Sequence, residues 1–443
     1  MKQVVILKPP RQDGKFVNYE NTDLGSPRDT PEPMLLLPQL AAEAKRVKNL
    51  ELHCLDCQIN EISFNQMHEE LERINPDLLI VPTQFFNLYE ERKFLEMKWP
   101  TLGIMLPTSS PLQEILQKYS INGCHFVNGD LVNGVRAALQ AVAKGESLDD
   151  IDHFIVRGGS HTLIKKTRPI FADIYKEAPI PDFEAFHTKE YLDLIESRTG
   201  KRKLSTRISS GCPFRCGFCG NKALGNRRFF TWPTSYAKSV LDTLFTNYAP
   251  SEVRFKDATF SAVRPFAMEM LDWIKANHSD TRIHITERVD TVDKEYLDYL
   301  KKRNVVQVGI GIESLDPIVQ DKMNKRFEMD KAIKLYNHAS DIGMRMDAYL
   351  TIGLPGETPR SIDMMKEFID RIYPQQCSVS ILYMRPGSKF FWDFIREDNV
   401  LHNDWLQYNN KNELLYKHDS YKSYEQLTET KDELYNYMKE KYK

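Results

Sequence analysis

Three cysteines stand close together in the stretch Ile208-Ser-Ser-Gly-Cys212-Pro-Phe-Arg-Cys216-Gly-Phe-Cys219-Gly, separated by three and then two residues. The segment is too short and too rich in glycine and proline to be helical, so it reads as a loop. A loop of that size wraps three thiolates around one iron–sulfur cubane, and thiolate is the preferred protein ligand of such clusters. Three ligands leave one iron without a protein donor, and an open iron can bind a substrate or cofactor. Two plainer readings stand beside this one. The first is a Cys3His zinc site, which needs a fourth ligand nearby; the nearest histidines, His187 and His278, are each more than twenty residues away. The second is a chance cluster of thiols.

The elements that must carry this loop alternate. A strand over residues 204–208 leads into it. Helices at 235–245, 265–275, 294–302, 329–342 and 358–371 then alternate with strands at 252–255, 282–286, 305–312, 344–352 and 376–383. That is six β/α repeats, the pattern of a partial barrel of parallel strands. Upstream, strands at 4–7, 50–54, 78–81, 101–105 and 123–127 are separated by helices at 34–47, 64–74, 112–119 and 131–143. Short buried strands between helices predict a parallel sheet covered on both faces, with ligands bound beyond its carboxyl ends. The fold class is therefore α/β: a Rossmann-like open parallel sheet over 1–150, a linker over 151–202, a partial (β/α)6 barrel over 203–388 and a helical C-terminal region over 389–443. The linker is read from Arg157-Gly158-Gly159 and Pro179-Ile180-Pro181, which are poor helix or sheet material. In the last region Ser423 with Gln426 resembles a capping box, and Leu427, Leu434, Met438 and Tyr442 line one helix face.

Composition narrows the function classes. The chain has 443 residues, enough for two or three domains, with 41% hydrophobic and 28% charged residues, which is globular. The formal charge is -2, so the basic excess of a general nucleic-acid binder is missing and nucleic acid is not an expected partner. No apolar run approaches the roughly 18 residues a membrane helix needs. The opening MKQVVILKPP runs straight into a strand and Pro-Pro, unlike a signal peptide, and seven cysteines is an odd number for a disulfide framework. The expectation is a cytoplasmic, reduced protein.

The cysteine loop, with the aromatic Phe218 before its last cysteine, resembles the signature of the radical S-adenosylmethionine (radical SAM) superfamily, and the resemblance covers about residues 203–390. It implies that Cys212, Cys216 and Cys219 hold a 4Fe-4S cluster whose open iron chelates S-adenosylmethionine (SAM). It further implies that one electron, from a flavodoxin- or ferredoxin-type donor, cleaves the sulfonium and releases a 5'-deoxyadenosyl radical. Segments at the later strand ends fit the same family: Phe255-Lys-Asp257, Glu287-Arg288 with Asp290, Gly309-Ile-Gly-Ile-Glu313-Ser314 and Thr351-Ile-Gly-Leu-Pro-Gly-Glu357. By resemblance Glu313, Ser314 and Lys325 help hold SAM. Phe218, Asp257 and Arg288 are further candidates for it, with a structural role the other reading for Asp257, Arg288 and Asp290.

The α/β sheet ahead of the barrel resembles the cobalamin-binding domain of the cobalamin-dependent radical SAM methyltransferases. The supporting segments are Lys8-Pro9-Pro10, Asn75-Pro76-Asp77, Pro179-Ile-Pro-Asp182, Asp257-Ala-Thr-Phe260 and Arg385-Pro-Gly387-Ser. Two departures stand out. Residues 8–34 contain no histidine and no Asp-x-His-x-x-Gly motif, and Leu106-Pro107-Thr108 replaces a glycine-rich turn. On this resemblance Thr83, Gln84, Thr108, Ser109, Asn128 and Gly129 are candidate cobalamin contacts. The implied activity is methyl transfer to an unactivated carbon. Cobalamin-independent rearrangement, cyclisation or dehydrogenation, or an iron–sulfur sensor without turnover, are the alternatives. Cys54, Cys57, Cys124 and Cys377 read as buried structural thiols, a second cluster on the first three being the other reading. The pair Arg227-Arg228 with Phe229-Phe230 reads as a solvated turn or a substrate contact. The substrate, whether small molecule, lipid or peptide, is not written in the sequence.

Overall fold

The computed structural model describes residues 1–11, 14–16, 31–83, 103–107, 124–127, 131–148, 154–158, 161–164, 174–220, 229–372, 376–383, 385, 387–401, 414 and 416–441. These fall into two compact units, one built on Met1–Ser205 with Trp232–Pro250, the other on Thr206–Lys222 with Ser251–Lys443.

The first unit is organised by a seven-stranded sheet. Its strands are β1 (Lys2–Lys8), β2 (Leu50–Asp56), β3 (Leu78–Thr83), β4 (Gly103–Pro107), β5 (Cys124–Val127), β6 (Phe154–Gly158) and β7 (His161–Ile164), in the order β2-β1-β3-β4-β5-β6-β7. β1 through β5 pair in parallel, as the alternating pattern predicts. The run Val4, Val5, Ile6, Leu7 is wholly buried, because a parallel sheet roofed by helices leaves neither strand face to water. Val5 and Leu7 pack with Leu79, Val81, Cys57, Met67 and Leu71; the last two lie on the helix Phe64–Ile74, which opens with a Ser63/Gln66 capping box. The order 2-1-3-4-5 reverses direction between β1 and β3, the switch point at which such sheets open a crevice at their carboxyl ends.

The segment read as a linker holds more structure than expected. β6 pairs antiparallel with β5, and β7 with β6, so that Gly158 lies opposite His161. Gly158, read with Gly159 as a sheet breaker, instead ends β6 at a reversal, where glycine is favoured; Gly159 lies outside the described residues. Helix Thr188–Thr199 follows, closed by Gly200 in the left-handed region.

The second sheet has six strands in the order β15-β14-β13-β12-β11-β8. They are β8 (Lys203–Thr206), β11 (Glu252–Phe255), β12 (Arg282–Arg288), β13 (Val305–Glu313), β14 (Arg345–Ile352) and β15 (Gln376–Ile381), while β9 (Ser209–Ser210) and β10 (Phe230–Thr231) form a separate antiparallel pair. β11 to β15 pair in parallel in chain order, which is the expected partial (β/α)6 barrel. On β13, Val308, Ile310 and Ile312 are fully buried, while Gln307, Gly309, Gly311 and Glu313 take the opposite face by the two-residue period of a strand. Register sets His284, Thr286 and Arg288 of β12 beside Gln307, Gly309 and Gly311. Helix Pro317–Met323, between the fourth strand and its covering helix Met329–Asp341, is an addition to the predicted pattern.

The C-terminal helix, Tyr424–Lys441, buries Leu427, Leu434 and Met438; Ser423 accepts from the Gln426 N–H, one half of the expected capping box, while Gln426 Oε1 accepts from the Lys422 N–H at 2.7 Å instead. Tyr442 lies outside the described residues. No described helix is long and apolar enough to cross a membrane.

Candidate cluster and SAM site

The cysteine loop leaves the short β9 through Gly211, whose φ of 78° lies in the left-handed region that glycine adopts without strain. Backbone struts then fix it. The Gly217 N–H donates to the Met323 carbonyl at 2.7 Å, the Phe390 N–H donates to the Gly217 carbonyl at 3.0 Å, and Asn324 Nδ2 donates to the Arg215 carbonyl at 3.1 Å. A Cβ at Gly217 would lie 2.7 Å from Phe390 Cε1, so glycine is required for this close approach. Phe218 is half-buried between Gly217 and Cys219. Cys212, Cys216 and Cys219 are of intermediate exposure and stand outside any disulfide. Among the described residues no three His, Cys, Asp or Glu side chains converge on a single ion. A cubane binds each thiolate to a different iron, so the donor set fits it.

Arg288, the last residue of β12, reaches this loop. Its Nε and Nη2 donate to the two oxygens of Asp290 at 2.8 and 2.7 Å, and its Nη1 donates to Cys216 Sγ at 2.8 Å. The guanidinium carbon stands 4.0 Å from the centre of the Phe214 ring. Burial pushes the Cys216 thiol above its ordinary range, while the charges of Arg288 and Lys325 pull it the other way.

Glu313 and Lys325 form the second constellation. Lys325 Nζ donates to Glu313 Oε2 at 2.6 Å and to the Gly311 carbonyl at 2.7 Å, with side-chain exposures of 3% for Lys325 and 14% for Glu313. A register shift between Gly311 and Glu313 and a φ of 58° at Glu313 turn its side chain onto this lysine. A Cβ on Gly311 would stand 2.6 Å from Glu313 Oε1 and 2.9 Å from Lys325 Nζ. The glycine spacing of β13 thus makes room for the pair. Ser314 is fully buried, and its hydroxyl accepts from the Asp316 N–H at 3.3 Å, within the turn that starts helix Pro317–Met323.

Asp257 faces the entry of the cysteine loop. It accepts from the Ile208 N–H at 3.2 Å and from the Ser209 hydroxyl, and burial pushes its carboxyl up to about 6. Beside it, Thr259 Oγ1 lies 3.8 Å from Cys212 Sγ. Glu287 accepts from the Ser261 N–H at 2.8 Å and the Thr291 hydroxyl at 3.1 Å, and burial pushes it up to about 7. Sequence reasoning missed Phe214, although it sits inside the cysteine motif. It also missed a polar row across the strands, where His284 Nδ1 lies 2.5 Å from Gln307 Oε1 and Gln307 Nε2 donates to Asp347. The alternation of polar residues along β12 and β13 was the available signal.

In the first unit, Thr83 ends β3 and pairs with Pro107 beside the switch point. Gln84, Thr108, Ser109, Asn128 and Gly129 lie outside the described residues, as do Arg227 and Arg228. At the end of β1, Lys8 Nζ donates to the Tyr191 hydroxyl at 2.6 Å and sits 3.7 Å from Asp56, to which Tyr191 donates at 2.9 Å. All three are fully buried. Cys57 belongs to the apolar core, and burial pushes Cys54 up to about 12 and Cys57 higher still, as in structural thiols.

Residues 206–369 match the family profile of the Radical SAM superfamily. An uncharacterised methyltransferase of Pyrococcus horikoshii is 20% identical over 386 residues, covering 86% of this chain and 82% of the relative. A hopanoid C-2 methylase of Rhodopseudomonas palustris is 24% identical over 233 residues, covering 51% of this chain; the match spans only 42% of that protein. Among solved structures, the radical SAM methyltransferase TsrM of Kitasatospora setae, with cobalamin and a 4Fe-4S cluster bound, superposes with a TM-score of 0.70. The match covers 90% of this chain and 75% of TsrM at 15% identity, so the likeness is one of fold.

Proposed function

We propose, from the match of residues 206–369 to the radical SAM superfamily, that this chain is a radical SAM enzyme that transfers a methyl group to an unactivated carbon with the help of cobalamin. Cys212, Cys216 and Cys219 hold a 4Fe-4S cluster. The observation that carries the reading is convergence: Arg288 at the end of β12 bonds Cys216 Sγ at 2.8 Å, and it pairs in register with Gly311, whose carbonyl and neighbour Glu313 both take the buried Lys325 ammonium. When bound, the cluster and SAM supply on one-electron reduction a 5'-deoxyadenosyl radical, and cobalamin supplies the methyl group.

Lys325 carries three donors. Two go to Glu313 and the Gly311 carbonyl, and the third suits the SAM carboxylate, while Glu313 suits its ammonium. Asp257 acts by latching Ile208 and Ser209 at the mouth of the cysteine loop. Ser314 shapes the turn behind Glu313. Phe218 packs beside the cluster. In the first unit the crevice at the ends of β1 and β3 takes cobalamin, with Thr83, Gln84, Thr108, Ser109, Asn128 and Gly129 as the contacts proposed for it. With no histidine in residues 8–34, that loop supplies no imidazole to cobalt. The reading calls for a reducing compartment such as the cytoplasm and an external one-electron donor of the flavodoxin or ferredoxin type. The hopanoid methylase and TsrM are named as methylating enzymes, which supports methyl transfer over the cobalamin-free alternatives.

The test is an anaerobic preparation analysed for iron, sulfide and cobalt, then supplied with reductant and SAM. The expected result is 5'-deoxyadenosine formation that disappears in Cys212→Ala, Cys216→Ala and Cys219→Ala. A wild-type protein that assembles no cubane overturns the proposal, and methylation indifferent to cobalamin overturns its second half.

A further inference from the structure

We propose that Arg288 sets the reduction potential of the cluster through its hydrogen bond to Cys216, and is a positioning residue rather than a SAM ligand. The inference rests on the reading that the three cysteines hold the cluster. A guanidinium presents five N–H groups in a rigid planar fork. Here Nε and Nη2 are both committed to Asp290, at 2.8 and 2.7 Å, and the plane is held over Phe214 at 4.0 Å. What remains is the Nη1 edge, and it meets Cys216 Sγ at 2.8 Å. Arg288 is 7% exposed, so little water competes for that edge or screens its charge.

The geometry has a direction. Asp290 bonds the far edge of the guanidinium, so the ion pair turns its positive end toward the sulfur. Glu313 and Lys325 are the other charged pair nearby, on the strand paired with β12 and the loop after it, but they are bonded to one another at 2.6 Å and their opposite charges largely offset. One-electron reduction adds one negative charge to a cluster already held by three thiolates. A fixed cationic donor on a ligating sulfur stabilises that added charge, more so in a buried site of low dielectric, and hydrogen bonds to cluster sulfurs are a recognised control of potential. Arg288 therefore keeps the potential higher than the same cubane would have without it, within reach of an external donor.

The test is a redox titration of the full chain, reconstituted anaerobically, with dithionite and mediators and no SAM present, followed by the electron paramagnetic resonance signal of the reduced cluster. Wild type, Arg288→Gln and Arg288→Lys are compared at equal iron and sulfide content. Arg288→Gln shifts the midpoint to a more negative value, and Arg288→Lys, which keeps the charge but loses the fork, shifts it the same way by less. If glutamine prevents cluster assembly, the lysine variant decides alone. Wild-type midpoints in variants with intact clusters overturn the inference, and do so equally if SAM binding weakens, since Arg288 would then serve SAM alone. A wild-type protein without a reducible cluster overturns the proposed function, and this inference with it.

Discussion

Lys325 and Glu313 lie twelve residues apart, and the structure closes them into a bonded pair with almost no solvent contact. Removing one partner of such a pair leaves an uncompensated charge, which costs about 3 kcal/mol where burial is nearly complete; Glu313 retains some exposure, so the expected loss for Lys325→Met is about 2 kcal/mol. Urea denaturation of the SAM-free protein measures it, and the double variant Lys325→Met with Glu313→Gln should regain part of the loss. Stability unchanged in the single variant would mean the pair is not formed in solution. Gly311 belongs to the same device. Gly311→Ala pushes a methyl against both charged groups, so SAM binding in equilibrium dialysis should fall severalfold while iron and sulfide content stay at the wild-type level. The Gly-x-Gly-x-Glu spacing was visible in the sequence. The bulge and the left-handed Glu313 that make it work were not, because they arise from the pairing of β13 with β14.

At the level of elements, the six-fold alternation was readable because each barrel helix has an apolar face and each strand a β-branched or aromatic core. Helix Pro317–Met323 escaped notice because seven residues are too few to show a period. β6 and β7 escaped because a Gly-Gly pair reads as a breaker, whereas Gly158 ends a strand paired with β7. The cysteine loop also depends on neighbours far along the chain. Gly217→Ala forces the Phe390 ring aside and should lower the iron and sulfide recovered per chain, and adding Phe390→Leu should restore part of both. No recovery in the double variant would place the strain elsewhere. The loop after β12 carries a pH signature. Burial raises the folded Glu287 carboxyl to about 7, above the roughly 4.3 of an unfolded glutamate. The folded state then binds the proton more tightly, so this group's contribution is full below pH of about 4 and is lost as pH rises through about 7. Denaturant midpoints measured from pH 5 to 8 should fall less steeply in Glu287→Gln than in wild type. Parallel curves would show that the carboxyl is not buried as described.

For the molecule as a whole, the proposed cofactor chemistry is legible in three cysteines, since ligand type and spacing are local properties. The substrate stayed illegible because a pocket is assembled from side chains scattered over many elements. The C-terminal region shows the same limit. Its polar composition is that of a solvated cap, yet its apolar stripe packs into the barrel. Leu427, Leu434 and Met438 are buried. Ahead of them, Tyr416 donates to the Gly353 carbonyl, Ser420 to the Glu357 carbonyl, and Tyr421 to Glu357 Oε1 at 2.6 Å. These bonds fasten the loop after β14, one of the strand ends on which the site is built. Beyond them Tyr437 and Lys441 both reach Asp370 at 2.7 Å, but these are exposed contacts and contribute little. The weight therefore rests on the apolar stripe. Leu434 is fully buried, and truncating such a leucine to alanine costs about 2–5 kcal/mol because the cavity left behind collapses only in part. Leu434→Ala should lower the temperature at which cluster absorbance is lost, whereas Tyr437→Phe, which removes only the exposed hydroxyl contact, should leave it within error of wild type. If the two variants behave alike, the helix is the solvated appendage its composition suggested and takes no part in holding the strand ends in place.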